Sequence, residues 1–192
     1  KPKGKSMPLN VIIAIDLSGS MSGKPMNMAR NAAMEFVSKI DLNIHCVGIM
    51  GFADRSKMFS NLTHEISSIE SAINKLDCNA SRVGYGNDNN PLGDAIDIFK
   101  YKEDSKSILI VLTDGVWSSQ KQAIKSSDYC REVGYEVVAI GFGSADKKFL
   151  ERISTNSENA LMTNLDNLVD SFGSIAQEIS QSGGASGLKW NK

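Results

Sequence analysis

Short apolar runs alternate along the chain with stretches whose apolar residues recur every three or four positions. The runs read as buried strands at residues 10–16, 44–52, 107–113, 136–141 and 160–162, with a shorter strand at 57–60. The intervening stretches read as helices at 26–39, 67–76, 92–99, 120–133, 147–153 and 165–180. In the first helix Met28, Ala32, Phe36 and Ile40 form a core-facing stripe, and Gly23 and Pro25 supply the turn and the proline that helix N-termini favour. In the last, Leu165, Leu168, Val169, Phe172, Ile175, Ala176 and Ile179 would pack inward. Strands alternating with helices predict an α/β fold with a mostly parallel sheet covered on both faces. Such sheets bind ligands at the carboxyl ends of their strands.

The ends of the chain break this pattern. Residues 1–8 read as a flexible leader and 182–192 as a flexible tail, with Ser182–Gly187 linker-like and Trp190 an exposed tail residue. One domain over 9–181 is expected between them. The 192 residues, 41% hydrophobic and 22% charged, are enough for one substantial core. A net charge of −1 argues against nucleic acid or a membrane surface as partner. The longest apolar run falls far short of the roughly 20 residues that cross a bilayer. The three cysteines read as reduced thiols, with Cys46 on a strand and Cys130 on a helix, which suits a cytoplasmic location. The sequons at Asn61 and Asn79 carry little weight.

Three segments carry chemistry. Asp16-Leu17-Ser18-Gly19-Ser20 follows directly on Val11-Ile12-Ile13-Ala14-Ile15, so a carboxylate and two hydroxyls stand where a buried strand meets its loop. A turn there gathers side chains two apart in sequence, and all of them offer hard oxygen. The strand Ile108–Leu112 runs into Thr113-Asp114-Gly115, placing Asp114 at the same edge of the sheet. Two close carboxylates repel unless a cation lies between them. The polar loop from Gly84 to Asn90, leading into Pro91-Leu92-Gly93-Asp94-Ala95, offers one more oxygen.

With these motifs the chain resembles a von Willebrand factor type A domain over about residues 9–180. The resemblance implies a doubly wound, Rossmann-like three-layer sandwich with strand order 3-2-1-4-5-6 and one antiparallel edge strand, for which 57–60 is the candidate. It implies a metal-ion-dependent adhesion site formed by Asp16, Ser18, Ser20, Asn90 and Asp114, holding Mg²⁺, or alternatively Mn²⁺ or Ca²⁺. Where the family has Thr before Pro-Leu-Gly, this chain has Asn90. Asn90 ligates directly, or reaches the ion through water, or Asp88 substitutes for it. The implied function is non-enzymatic: a protein partner supplies Glu or Asp to the ion, and the domain on its own is a monomer. The resemblance extends to intracellular bacterial members associated with tellurium or stress resistance. Two other readings stand beside it: a metal-assisted phosphatase or phosphoryl-transfer subunit, and a scaffold that binds without metal.

Several alternatives fail on the residues. A haloacid-dehalogenase-type phosphatase needs a carboxylate at position 18, where Ser18 stands, and no G-x-x-x-x-G-K-[ST] loop exists. Gly141-Phe142-Gly143 lacks the third glycine of a dinucleotide loop, because Asp146 occupies it. His45 and His64, the two histidines, read as a strand and a loop residue, and neither as a base for Ser18.

Overall fold

A computed structural model of the chain describes residues 7–79, 82–188 and 190. Six strands form one sheet: β1 (Leu9–Asp16), β2 (Cys46–Phe52), β3 (Ser56–Thr63), β4 (Lys106–Thr113), β5 (Glu136–Gly141) and β6 (Ala160–Met162). Their order is β3-β2-β1-β4-β5-β6. All neighbours are parallel except β2 and β3, whose antiparallel pairing carries register shifts around Ile49. This is the doubly wound sandwich expected from the motifs, with β3 as the antiparallel edge. That strand runs to Thr63, longer than residues 57–60, because its half-exposed polar residues mask the alternation that marks a strand.

β1 is buried along its whole length, and its two faces feed two different cores. Val11, Ile13 and Ile15 pack with α1 (Lys24–Ser38), α2 (Ile66–Asn74) and α6 (Leu168–Ser182). Ile12 and Ala14 face α3 (Pro91–Phe99), α4 (Gln120–Val133) and α5 (Lys147–Ile153). The stripe on α6 is as expected: Leu168, Phe172, Ile175, Ala176 and Ile179 are buried, with Leu165 and Val169 packed at its margin. His45 precedes β2 in a turn instead of lying on the strand, and its Nδ1 accepts from the Leu9 N–H at 3.0 Å.

Beyond α6 the described residues fold back onto the domain and correct the expectation of a flexible tail. Gly183, at φ +73°, ends the helix in a left-handed turn, and the chain then docks at the amino ends of β4 and β5. The Ala185 N–H donates to Glu136 Oε2 at 2.8 Å, and Asn159 Nδ2 donates to the Ala185 carbonyl at 2.7 Å. Glu136, almost fully buried, also pairs with Lys106 Nζ at 2.5 Å. A side chain at Gly184 would meet both charged groups, which would have to shift to admit it. Ala185 and Leu188 enter the core, and the Trp190 indole donates to the Glu158 carbonyl at 2.9 Å. The composition of Ser182–Gly187 suggests a linker because the anchors of its backbone, Glu136 and Asn159, come from distant strands and turns. Of the leader expected at residues 1–8, residues 1–6 lie outside the described residues.

Leu188→Ala is expected to destabilise the domain by about 2 kcal/mol, as loss of buried methyl groups does. Thermal melts would show this as a drop of several degrees; an unchanged melting temperature would mean the strap does not pack in solution.

Candidate metal centre

Two neighbouring strands, β1 and β4, deliver the site. Their parallel register aligns Ile15 with Leu112, so the next residues, Asp16 and Thr113, end the strands side by side. Thr113 Oγ1 donates to Asp16 Oδ2 at 2.7 Å, while the Ser18 N–H donates to Asp16 Oδ1 at 2.8 Å. Trp117 Nε1 in turn donates to Thr113 Oγ1 at 3.0 Å, and its ring is wedged edge-on between Phe52 and Phe149. Asp16 is thus locked in orientation by one backbone and one side-chain donor, and the threonine is locked by an indole anchored in the core.

The remaining oxygens converge on the other side of the loop. Ser20 Oγ donates to Asp114 Oδ1 at 2.9 Å, and Ser18 Oγ lies 3.3 Å from Ser20 Oγ. Asp16 is fully buried and Asp114 is 8% exposed. Burial pushes the Asp16 carboxyl above its ordinary value; the bonds from Ser18 and Thr113 pull it back, and the neighbouring Asp114 charge pushes it up again. Burial at the end of β1 therefore disfavours the negative charge of Asp16. Among the described residues no three His, Cys, Asp or Glu side chains converge to hold a metal. The donors here are two carboxylates and two hydroxyls, a hard-oxygen set of the kind that suits Mg²⁺, Mn²⁺ or Ca²⁺.

The loop before α3 closes over this cluster through backbone hydrogen bonds. Gly19 N–H donates to the Tyr85 carbonyl at 3.0 Å, Asp54 and Arg55 N–H donate to the Val83 carbonyl, and Asn89 N–H donates to the Ala53 carbonyl. The Ser118 N–H reaches the Asn87 carbonyl and the Ser119 hydroxyl the Asn89 carbonyl. Gly84 and Gly86 both lie against the Asp54 carboxylate, which accepts the Gly86 N–H, and a Cβ at either glycine would strike it. The loop is tied to the turn after β2 and to the segment after β4, so it is positioned by the same two strand ends as the carboxylates.

Asp16, Ser18, Ser20 and Asp114 are brought together; Asn90 is not among them in this structure. Asn90 stands at the N-terminus of α3 with its Nδ2 donating to Ser126 Oγ on α4 at 2.9 Å, and its Oδ1 is buried without a partner. Asp88 accepts from the Ser118 hydroxyl. The Asn87 side chain lies against Gly115, and its Oδ1, like those of Asn89 and Asn90, is a buried acceptor without a partner. Thr113 and Asn87 are the residues that motif reasoning did not single out. Thr113 stood in the quoted Leu112-Thr113-Asp114-Gly115 segment, whereas the placement of Asn87 depends on loop contacts with no local signal.

Comparisons with known proteins agree with this architecture. The sequence profile of the von Willebrand factor type A domain matches residues 10–178. The human collagen alpha-5(VI) chain is 27% identical over 179 residues, spanning 88% of this chain and 7% of the collagen chain. An uncharacterized protein of Synechocystis sp. is 24% identical over 186 residues, spanning 93% of this chain and 43% of that protein. The chain therefore covers less than half the length of either relative. Among solved structures, the vWF domain of the type V pili tip protein from Porphyromonas gingivalis superposes with a TM-score of 0.79 at 13% identity, covering 97% of this chain and 98% of that one. Proximal thread matrix protein 1 of the mussel byssus, solved with a zinc-occupied MIDAS motif, gives 0.76 at 23% identity over 90% of this chain and 46% of its own. At these identities the structural likeness speaks for the fold. The profile match, running from β1 into α6, establishes that the chain belongs to the von Willebrand factor type A domain family.

Proposed function

We propose that this domain is a non-enzymatic docking module that binds an acidic side chain of a protein partner through a divalent cation at the carboxyl ends of β1 and β4. The observation that carries this reading is the Ser18–Ser20–Asp114 chain of hydrogen bonds beside the buried Asp16 carboxylate. Asp16, Ser18, Ser20 and Asp114 would hold the ion, and the ion would supply a positive centre able to accept a partner carboxylate. The two hydroxyl ligands are neutral and add no negative charge beyond the two carboxylates, so a further oxygen from that partner can still be accepted. The mussel protein with zinc at its own motif lends support by likeness of fold. Mg²⁺ is the expected occupant, with Mn²⁺ or Ca²⁺ as alternatives. The fifth position belongs to the loop before α3. Both Asn90 and Asn87 carry a free Oδ1; the Asn90 amide is bonded to Ser126 on α4, whereas the Asn87 side chain lies against the residue after Asp114.

No helix among the described residues is long and apolar enough to cross a membrane. The three cysteines are free thiols, which supports a reducing compartment such as the cytoplasm as the place of action.

Mg²⁺ at about a hundredfold excess over its dissociation constant should stabilise the domain by about 2.7 kcal/mol, which raises the melting temperature by roughly 5–10 °C for a domain of this size. Asp114→Asn should melt higher than wild type in EDTA, because one of two close charges is gone, and should lose the metal-dependent rise. Differential scanning calorimetry with and without metal measures both; a wild-type melt indifferent to millimolar Mg²⁺, Mn²⁺ and Ca²⁺ refutes metal binding.

Partner capture should follow the ion. Wild type recovers its protein partner in Mg²⁺, and loses it in EDTA or as Asp114→Asn. Recovery that survives both treatments would favour a surface independent of the metal.

The two asparagines should separate in calorimetric metal titrations. Asn87→Ala is expected to weaken Mg²⁺ binding several-fold, and Asn90→Ala to leave it within about twofold, the span of losing one neutral ligand or none. The opposite ranking would return the fifth position to Asn90.

A further inference from the structure

At the foot of the sheet, the far end of β2 from the residue that pairs with Asp16, Cys46 Sγ lies 3.1 Å from His64 Nε2. His64 Nδ1 lies 2.8 Å from the Leu42 carbonyl oxygen. A carbonyl only accepts, so Nδ1 carries the proton and Nε2 presents its lone pair to the thiol. The imidazole is exposed and Cys46 half-buried, so a small reagent can reach the sulfur from the side of His64. The other two thiols are differently placed. Cys78 is buried and donates to the Ser18 carbonyl at 3.3 Å, and Cys130 is buried with its pKa pushed up to about 11. Around Cys46 burial works against the thiolate and the Lys102 ammonium favours it. Among the described residues, the facing His64 is the group at hydrogen-bonding distance able to take the proton. His45 is committed to the Leu9 N–H.

We propose that Cys46 is a thiol-modification site, with His64 as its proton acceptor and low-molecular-weight disulfides as its reagents. In the exchange the Cys46 S–H proton passes to His64 Nε2 as the sulfur attacks one sulfur of the disulfide. The old S–S bond breaks, the new one forms to Cys46, and the departing thiolate takes the proton from His64. The net change is one protein thiol and one disulfide becoming one mixed disulfide and one free thiol. No metal takes part, so the site operates independently of the cluster around Asp16.

Glutathione disulfide is the probe, added to the folded wild-type protein at neutral pH in EDTA, with intact mass and peptide mapping as the readout. The expected result is a single adduct at Cys46, with Cys78 and Cys130 labelled only after unfolding. Cys46→Ser should abolish the adduct. His64→Gln, checked by its melt, should slow its formation roughly a hundredfold, the low end of what a positioned base contributes. First labelling at Cys78 or Cys130, or equal rates for wild type and folded His64→Gln, overturns the proposal. Should His64→Gln fail to fold, the wild type decides alone: Cys46 must react faster in the native protein than in the urea-unfolded chain, and a slower native rate overturns the proposal.

Discussion

A carboxylate excluded from water at the end of a central strand is the constraint around which this molecule is built. Asp16 is fully buried, and an isolated buried charge would be prohibitively unfavourable. The surroundings answer it in layers. Ser18 and Thr113 donate to its two oxygens, Trp117 fixes Thr113, and Phe52 and Phe149 fix Trp117. Each donor comes from an element that the sheet itself places. The orientation of one side chain therefore depends on the correct pairing of β1 with β4 and on the aromatic packing beneath the loop.

The second carboxylate gives that arrangement its chemical bias. Asp114 is held by Ser20, and among the described residues no lysine or arginine forms an ion pair with either carboxylate. A structural ion pair would have settled the charge permanently. Hydroxyl donors orient the oxygens and leave the negative charge to be met from outside, which is the difference between a cluster that only supports the fold and one that can recruit a ligand.

The parts legible in the sequence were those governed by short-range pattern. The apolar runs of β1 and β4, the carboxylate after each, and the alternation of strands and helices led to a mostly parallel sheet with Asp16, Ser18, Ser20 and Asp114 at one edge, and the family resemblance added the strand order. What escaped was governed by contacts across long stretches of chain. Asn90 turns toward Ser126, thirty-six positions on, and Asn87 is set by hydrogen bonds from Gly19 and Ser118 to its loop. The strap past α6 reads as linker by its glycines and serines, yet Glu136 and Asn159 capture its backbone. The Cys46–His64 pair joins the first residue of β2 to the residue just beyond β3, and only the antiparallel pairing of those strands brings them together.

Docking of the strap also fixes where the domain can be tethered. β1 begins at Leu9 beside Lys106, and Ala185 is held at Glu136, so both ends of the described chain emerge at the foot of the sheet, opposite the carboxylate crevice. Entry and exit on one side let a module be threaded between neighbouring segments without disturbing its core. Tension between a ligand at the crest and a tether at the foot would run lengthwise along β1. Its hydrogen bonds to β2 and β4 would then be loaded in shear, all together, instead of being peeled apart one at a time.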